Sequence, residues 1–243
     1  MKKDNLGLLA SGNGTTVGAI LKARIKKRLK RVRPALIIAS SYDAGVIQLA
    51  RDLDFPPRRI HVVPRHRDMS DVVYGRLLLG LFKAYNITLV GQYGWLPKTP
   101  RNVIQFFDWG KRIINQHPAP VPWFGGKKFY GIVPHATVLY FVRALQRHNL
   151  RDCRHTYVVT QRAALRYNMG TVLHYKTVEI FPNDTPHTLK ERALPVEWDV
   201  QIETLERFAS GYTGPCPVAQ FVYPGERKLL TWARKVALNN YAQ

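Results

Sequence analysis

The stretch NLGLLASGNGTT, residues 5–16, joins a short apolar run to a glycine-containing turn and then to a basic amphipathic segment. The apolar run is typical of a buried strand, and the small residues after it are typical of a turn that opens a helix. The same alternation continues along the chain. Further strands are predicted at residues 35–40, 60–64, 87–95 and 112–118.

This alternation of strands and helices predicts an α/β domain with a largely parallel sheet. Residues 69–86 are predicted to form a helix with Ser70 as its N-cap. Further predicted elements follow: a helix at 135–149, strands at 155–160 and 171–180, and helices near 187–209 and 226–240. We expect one α/β domain over residues 1–210, with a C-terminal extension, 211–243, packing on the same domain.

Net charge is the unusual bulk property, at +21 with a pI near 10.3. Such an excess indicates attraction to phosphate, either in nucleic acid or in a small phosphorylated ligand. Residues 22–33 hold eight Lys or Arg and no acid, and Val17, Leu21, Ile25 and Leu29 recur every four residues. This pattern predicts an amphipathic helix with a cationic back. Without an RNA-binding signature, a solvated helix face is favoured over a nucleic-acid groove.

The remaining bulk properties are those of an ordinary globular protein. Apolar residues make up 46% of the chain, and no run approaches the roughly 18 apolar residues of a membrane helix. The first apolar run is too short for a signal peptide. Cys153 and Cys216 have no metal or redox spacing. We therefore expect a cytoplasmic protein that is not inserted in a membrane.

In a parallel sheet, ligands bind outside the carboxyl ends of the strands, which here means just after residues 10, 90 and 114. The first of these places is a loop of small residues at a helix N-terminus, where backbone N–H groups and hydroxyls attract an anion. It matches neither the P-loop nor the dinucleotide fingerprint. Two interpretations stay open: a phosphate site, or a tight turn with a Thr or Asn cap.

The third of these places carries the sequence Asn115-Gln116-His117-Pro118. Side chains alternate along an extended segment, so Asn115 and His117 are predicted to point the same way and Gln116 the opposite way. An amide N–H and an imidazolium N–H could then donate to one oxygen, as in stabilisation of an oxyanion, and the imidazole could move a proton. The alternative is a loop His and Asn that satisfy local backbone groups.

Four stretches together resemble the folate-dependent formyltransferases, most closely those that act on glycinamide ribonucleotide. They span roughly residues 5–205 in the family's order: ASGNGTT (10–16), SSYDAGVIQLARDL (40–53), INQHPAPVPWFGG (114–126) and LPVEW (194–198). The resemblance implies a Rossmann-like, mostly parallel sheet flanked by helices, the formyltransferase fold. It implies formyl transfer from 10-formyltetrahydrofolate, the co-substrate, to the amine of glycinamide ribonucleotide in de novo purine biosynthesis. It implies no metal, and it leaves a homodimer open.

The resemblance also implies roles for particular residues. The phosphate of the substrate would lie on the first loop, which consists of Gly12, Asn13, Gly14, Thr15 and Thr16. The pterin pocket would be lined by the backbone of Tyr93, Gly94, Trp95 and Leu96. Asn115 and His117 would stabilise the formyl oxyanion, with His117 also moving a proton. Glu197 would bind the ribose.

One family residue has no match. The family's third catalytic residue is an aspartate, and the corresponding stretch here, residues 161–172, contains no carboxylate. If Gly170 corresponds to a motif glycine, Asn168 stands at the aspartate position. An asparagine can orient a water or the imidazole, but it cannot supply the charge that favours the protonated ring.

Three alternatives to this function are considered. An enzyme acting on another amine, such as a nucleotide-linked amino sugar, would have a different phosphate loop. Methionyl-tRNA formyltransferase would explain the charge, but about 35 residues after position 208 are too few for its additional domain. A formyltransferase-like scaffold with altered or lost activity could use its basic surface to bind nucleic acid, and Asn168 and the charge both favour it.

Overall fold

The sheet is built from the apolar runs that the sequence places at regular intervals. The computed structural model describes residues 3–212 and 214–242. Within these residues the sheet has seven strands: β1 (Asp4–Ala10), β2 (Val32–Ala39), β3 (Ile60–Val62), β4 (Leu89–Gln92), β5 (Ile113–His117), β6 (His155–Arg162) and β7 (Val172–Glu179).

The strands lie in the order β3-β2-β1-β4-β5-β6-β7. The first five in this order are parallel, whereas β6 is antiparallel to both β5 and β7. The carboxyl ends of β1, β4 and β5 therefore lie side by side at one edge of the sheet. The predicted α/β fold with a Rossmann-like, mostly parallel sheet is confirmed.

The helices cover both faces of this sheet. In chain order they are α1 (Thr15–Ile25), α2 (Val46–Asp52), α3 (Asp71–Ala84), α4 (Arg101–Phe106), α5 (Val133–Arg147), α6 (Pro186–Ala209) and α7 (Arg227–Tyr241). Ser70 is the N-cap of α3, as predicted, since its hydroxyl accepts from the Val73 N–H at 3.3 Å. Thr185 and Thr188 form a reciprocal capping box at the start of α6. The short helix α4 was not predicted, because its six residues carry too little periodicity.

The basic helix is shorter than its apolar repeat predicted. It ends at Ile25, because Lys27 adopts a left-handed conformation with φ 58°. The Arg28 and Lys27 N–H groups then bond to the Ala23 and Arg24 carbonyls in a Schellman arrangement. The prediction that Ile25 lies on the buried stripe is wrong, since this side chain is 65% exposed. Leu29 is fully buried, but it reaches the core after the turn.

Side-chain alternation divides the core between the two sheet faces. Ile114 packs with residues of α1, α2 and α6 on one face, and Ile113 packs with residues of α3 and α4 on the other. This division decides the face on which each side chain of β5 lies.

The C-terminal helix α7 packs along α5. Ala237 of α7 is buried in a cluster with Phe129, Val133 and Ala136. The division of the chain at residue 210 stays a prediction. In the described part of the chain, no helix is long and apolar enough to cross a membrane.

Candidate active site

Three predicted site loops begin at neighbouring positions of one sheet edge. Leu9 of β1 is in register with Gln92 of β4, and Gln92 is in register with Asn115 of β5. The loop after β1, the loop after β4 and the end of β5 therefore face the same space. The sheet order thus brings together residues that are far apart in the sequence.

The first loop leads directly into the N-terminus of α1. Gly14 is the N-cap, in the left-handed conformation at φ 67°, and no side-chain cap is described for this helix. Asn13 and Thr15 are exposed, and Thr16 is buried. The N–H groups of a helix's first turn lack partners within the helix, and the helix dipole makes this end positive. The geometry suits an anion better than the alternative of a side-chain-capped turn.

Ser11 joins the first loop, residues 10–16, to the loop after β4 by hydrogen bonds. The Ser11 N–H donates to the Gly94 carbonyl at 3.2 Å, and the Leu96 N–H donates to Ser11 Oγ at 2.9 Å. Tyr93 and Trp95 are buried, and burial raises the pKa of the Tyr93 phenol above its ordinary value. Leu96 is 48% exposed. The two loops are therefore one hydrogen-bonded unit with an apolar side chain at its rim.

The side chains at the end of β5 alternate as predicted. Gln116 donates to the Glu197 carboxyl group of α6, on the face where Ile114 packs. Asn115 and His117 point to the opposite face, where their partners belong to other segments.

Two amide side chains beside β5 donate hydrogen bonds to the side-chain oxygen of a third amide. Asn115 Nδ2 donates to Asn168 Oδ1 at 3.3 Å, and Gln161 Nε2 donates to the same oxygen at 2.9 Å. Asn168 lies in the loop between β6 and β7, with φ 54°. An amide NH₂ has two hydrogens, so Asn115 keeps one for a further acceptor. The structure therefore places Asn168, the residue at the family's aspartate position, beside Asn115.

The His117 ring is buried against the backbone of the loop that follows β5. It is 3% exposed, and its Nε2 lies 2.9 Å from the Phe124 carbonyl oxygen. A carbonyl can only accept, so Nε2 carries the hydrogen and Nδ1 carries the lone pair. Burial lowers the pKa of His117 to about 4, although the Phe124 bond opposes this shift. This lowering of the pKa favours the neutral ring near pH 7, in which Nδ1 carries the lone pair. The imidazolium donor expected from the sequence stays a prediction.

Glu197 is buried on the other face of β5, at 5% exposure. Burial raises the pKa of this carboxyl group to about 8, although the charge of Lys190 acts in the opposite direction. Gln201, one turn later on α6, is fully buried, and both its amide atoms lack a partner among the described residues. The Gln201 amide is therefore an unsatisfied polar group beneath α6.

We predict that Glu197→Gln removes a pH dependence of stability. A folded-state pKa above the ordinary 4.5 favours the native state at low pH, and this contribution is lost as the pH rises through about 8. Between pH 5 and pH 8, the free energy of unfolding of the wild type should fall by about 3 kcal/mol more than that of Glu197→Gln. Urea titrations at both pH values measure this difference. Glu191→Gln, at an exposed position of the same helix, is the control. Equal pH dependence in wild type and Glu197→Gln would contradict the prediction.

Several residues of the site were not found by sequence reasoning. Ser11 lies inside the quoted loop, but its partners come from the loop after β4. Phe124 belongs to the segment that follows the NxHP motif, but nothing in the sequence says which of its carbonyls meets His117. Gln161 could have been suspected only from its place opposite Asn115 in β6. Within the described residues, no group of three or more His, Cys, Asp or Glu side chains is placed to hold a metal.

Comparisons with known proteins point in the same direction as this geometry. No protein-family model matches the chain. Over 171 residues, the chain is 30% identical to the chloroplastic phosphoribosylglycinamide formyltransferase of Arabidopsis thaliana, a match covering 70% of this chain and 53% of that protein. In sequence and in fold, this chain is similar to the phosphoribosylglycinamide formyltransferases. It spans about half the length of the Arabidopsis protein.

Solved structures of such formyltransferases have the same fold. The phosphoribosylglycinamide formyltransferase of Coxiella burnetii is 27% identical, with a TM-score of 0.69 over 86% of this chain and 89% of the other. Glycinamide ribonucleotide transformylase 1 of Symbiobacterium toebii has a TM-score of 0.71 at 22% identity, over 86% and 89% of the two chains. The resemblance to folate-dependent formyltransferases is confirmed. The scaffold without transferase activity is not favoured.

Proposed function

We propose that this protein transfers a formyl group from 10-formyltetrahydrofolate to the amine of glycinamide ribonucleotide, a step of de novo purine biosynthesis. The observation that carries the proposal is the meeting of three features at one sheet edge. Asn115 and His117 lie on one face of β5, and Asn168 contacts Asn115. The first loop is hydrogen-bonded to the loop after β4. The relationship to formyltransferases supports it.

We infer the substrate contacts from the resemblance to formyltransferases. The N–H groups at Gly14, Thr15 and Thr16 would receive the phosphate, helped by the helix dipole. The carboxyl group of Glu197 would bind the ribose hydroxyls. The formyl donor would lie against residues 93–96, where the exposed Leu96 offers apolar contact. We place the reaction in the cytoplasm, although the Arabidopsis relative is chloroplastic.

The chain's own residues supply a donor and a base. When bound, 10-formyltetrahydrofolate supplies an electrophilic formyl carbon. Asn115 would donate its remaining N–H to the formyl oxygen as negative charge develops during attack by the amine. His117 would accept at Nδ1 the proton that the amine loses, and would return it to the departing nitrogen of the folate. The bond from carbon to the folate nitrogen breaks as the new amide forms, and no net proton is gained or lost.

A direct assay tests the proposal. Purified protein is mixed with 10-formyltetrahydrofolate and glycinamide ribonucleotide, and formylated nucleotide and tetrahydrofolate are quantified together. We expect both products in equal amounts. Release of formate without formylated nucleotide, or no turnover with salt-sensitive RNA retention instead, would contradict the proposal.

We predict that Asn168→Asp retains formyl transfer or raises its kcat by up to about tenfold. A carboxylate beside Asn115 would favour the protonated form of His117 and move the acidic limb of the pH–rate profile to higher pH. Steady-state rates from pH 4 to pH 9 measure both effects. Asn149→Asp is the matched control, because Asn149 is exposed and has φ 50° against 54° at Asn168. A rate more than tenfold below wild type would show that the neutral amide is required.

A further inference from the structure

The C-terminal helix reaches the loop that follows His117. Arg234 of α7 donates from Nη1 to the Trp123 carbonyl at 2.5 Å, and from Nη1 and Nη2 to the Gly125 carbonyl at 3.1 Å each. Its guanidinium also lies over the Phe129 ring, 3.9 Å from the centroid. Partial burial of the guanidinium lowers the pKa of Arg234, so removal from water costs energy that these bonds offset.

The two carbonyls held by Arg234 flank the one that contacts the histidine. The carbonyl of Phe124, between Trp123 and Gly125, accepts from His117 Nε2 at 2.9 Å. Because Arg234 of α7 holds the carbonyls of Trp123 and Gly125, the Phe124 carbonyl between them is kept against His117 of β5. A planar guanidinium can grip two carbonyls at once, whereas an ammonium group is a single compact charge.

The same loop also limits the position of Asn168. A Cβ atom placed on Gly125 would lie 2.5 Å from Asn168 Cβ, so the backbone at Gly125 touches the asparagine directly. A shift of this loop would therefore displace both the His117 partner and the neighbour of Asn115.

We propose that Arg234 is a positioning residue for the reaction: it fixes the Trp123 and Gly125 carbonyls and so sets the Phe124 carbonyl against His117. The expected effect on kcat rests on the proposed function. The expected effect on the position of the Phe124 carbonyl and the His117 ring is independent of that function. Arg234 contacts the loop and would touch neither substrate. It determines the tautomer and position of the group that moves the proton.

The test compares Arg234→Met, Arg234→Lys and the control Lys235→Met, an exposed position on the same helix. Methionine keeps an apolar stem beside Phe129 and removes the donors, and lysine restores the charge without the fork. We expect Arg234→Met to lower kcat about 100-fold with KM values within about threefold, since misplacement by about 1 Å can cost this much. Arg234→Lys should recover part of the rate, and Lys235→Met should match wild type. A kcat for Arg234→Met within twofold of wild type overturns the kinetic claim.

A readout independent of turnover accompanies these rates. In Arg234→Met, amide hydrogen exchange at Phe124, Gly125 and Phe129 should be at least tenfold faster, and ¹⁵N spectra of His117 should show loss of the single Nε2–H tautomer. Unchanged exchange and an unchanged tautomer overturn the positioning claim. If wild type transfers no formyl group, the proposed function fails, and these two measurements still decide the role of Arg234. Thermal unfolding of each variant checks that it is folded at the assay temperature.

Discussion

Replacing His117 by alanine is expected to lower kcat for formyl transfer by at least about 10³-fold, with substrate KM values within about threefold. In the neutral ring Nε2–H bonds to the Phe124 carbonyl and Nδ1 carries the lone pair, so we propose Nδ1 as the proton acceptor. An alanine side chain cannot accept a proton, whereas the Asn115 amide and the first loop are unchanged in this variant. Because the pKa of His117 is lowered to about 4, wild-type kcat should fall only as the pH approaches that value.

Two further variants make this result interpretable. His117→Gln can place an amide N–H near the position of the imidazole Nε2, where it can donate to the Phe124 carbonyl, but it supplies no base, so it should lose as much activity as alanine. His148→Ala replaces an exposed histidine at the end of α5 and should behave as wild type. Steady-state rates and thermal unfolding are measured for all three. If His117→Ala retained the wild-type kcat, proton transfer by this ring would be ruled out.

The parts of the site that follow from local pattern were predictable from the sequence. Side chains alternate along β5, so Asn115 and His117 are predicted to lie on one face. The structure agrees, since Ile113 and Ile114 pack in the cores on opposite faces of the sheet. A parallel sheet also places the end of β5 at the same edge as the first loop, although the sequence does not give the strand order, in which β4 separates β5 from β1. These inferences need only strand geometry and the rule that ligands lie at carboxyl ends of strands.

The burial of the His117 ring and its Phe124 contact could not be predicted in the same way. An isolated NxHP segment gives no information on what covers the ring, and an exposed histidine would exchange protons near pH 6.5. The chain returns at Phe124 and buries the ring, and this return depends on backbone positions seven residues away. Partners as distant as Arg234, 111 residues from Trp123, depend on tertiary packing that no sequence period encodes.

The end of α1 shows a local limit of the same kind. The four-residue repeat through Leu29 predicts a continuous helix, yet Lys27 takes a left-handed conformation that a lysine rarely adopts. The turn leaves Ile25 exposed, and Leu29, which follows it, is fully buried in the core. Burial of Leu29 is compatible with either path, so the repeat alone could not distinguish them.

Gly14→Ala is expected to raise the KM for glycinamide ribonucleotide about 100-fold. Gly14 has φ 67°, and a Cβ atom there would lie 2.6 Å from Val46 Cβ and 3.0 Å from Val46 Cα. The first loop must therefore move away from α2 and carry the N-terminus of α1 with it. Charge-assisted bonds from that turn to phosphate, each about 1.5–3 kcal/mol, would be lost or lengthened.

The control for Gly14→Ala separates backbone strain from displacement of the loop. Gly211 also has positive φ, 89°, but no described atom lies within 4 Å of the position that an alanine methyl would take there, so Gly211→Ala adds strain without a clash. Gly211→Ala should leave the KM unchanged. With the dephosphorylated amine as substrate, wild type and Gly14→Ala should have similar kcat/KM, because the lost contacts are those to phosphate. An equal loss with both substrates would mean that this loop supports the whole site and does not select the phosphate.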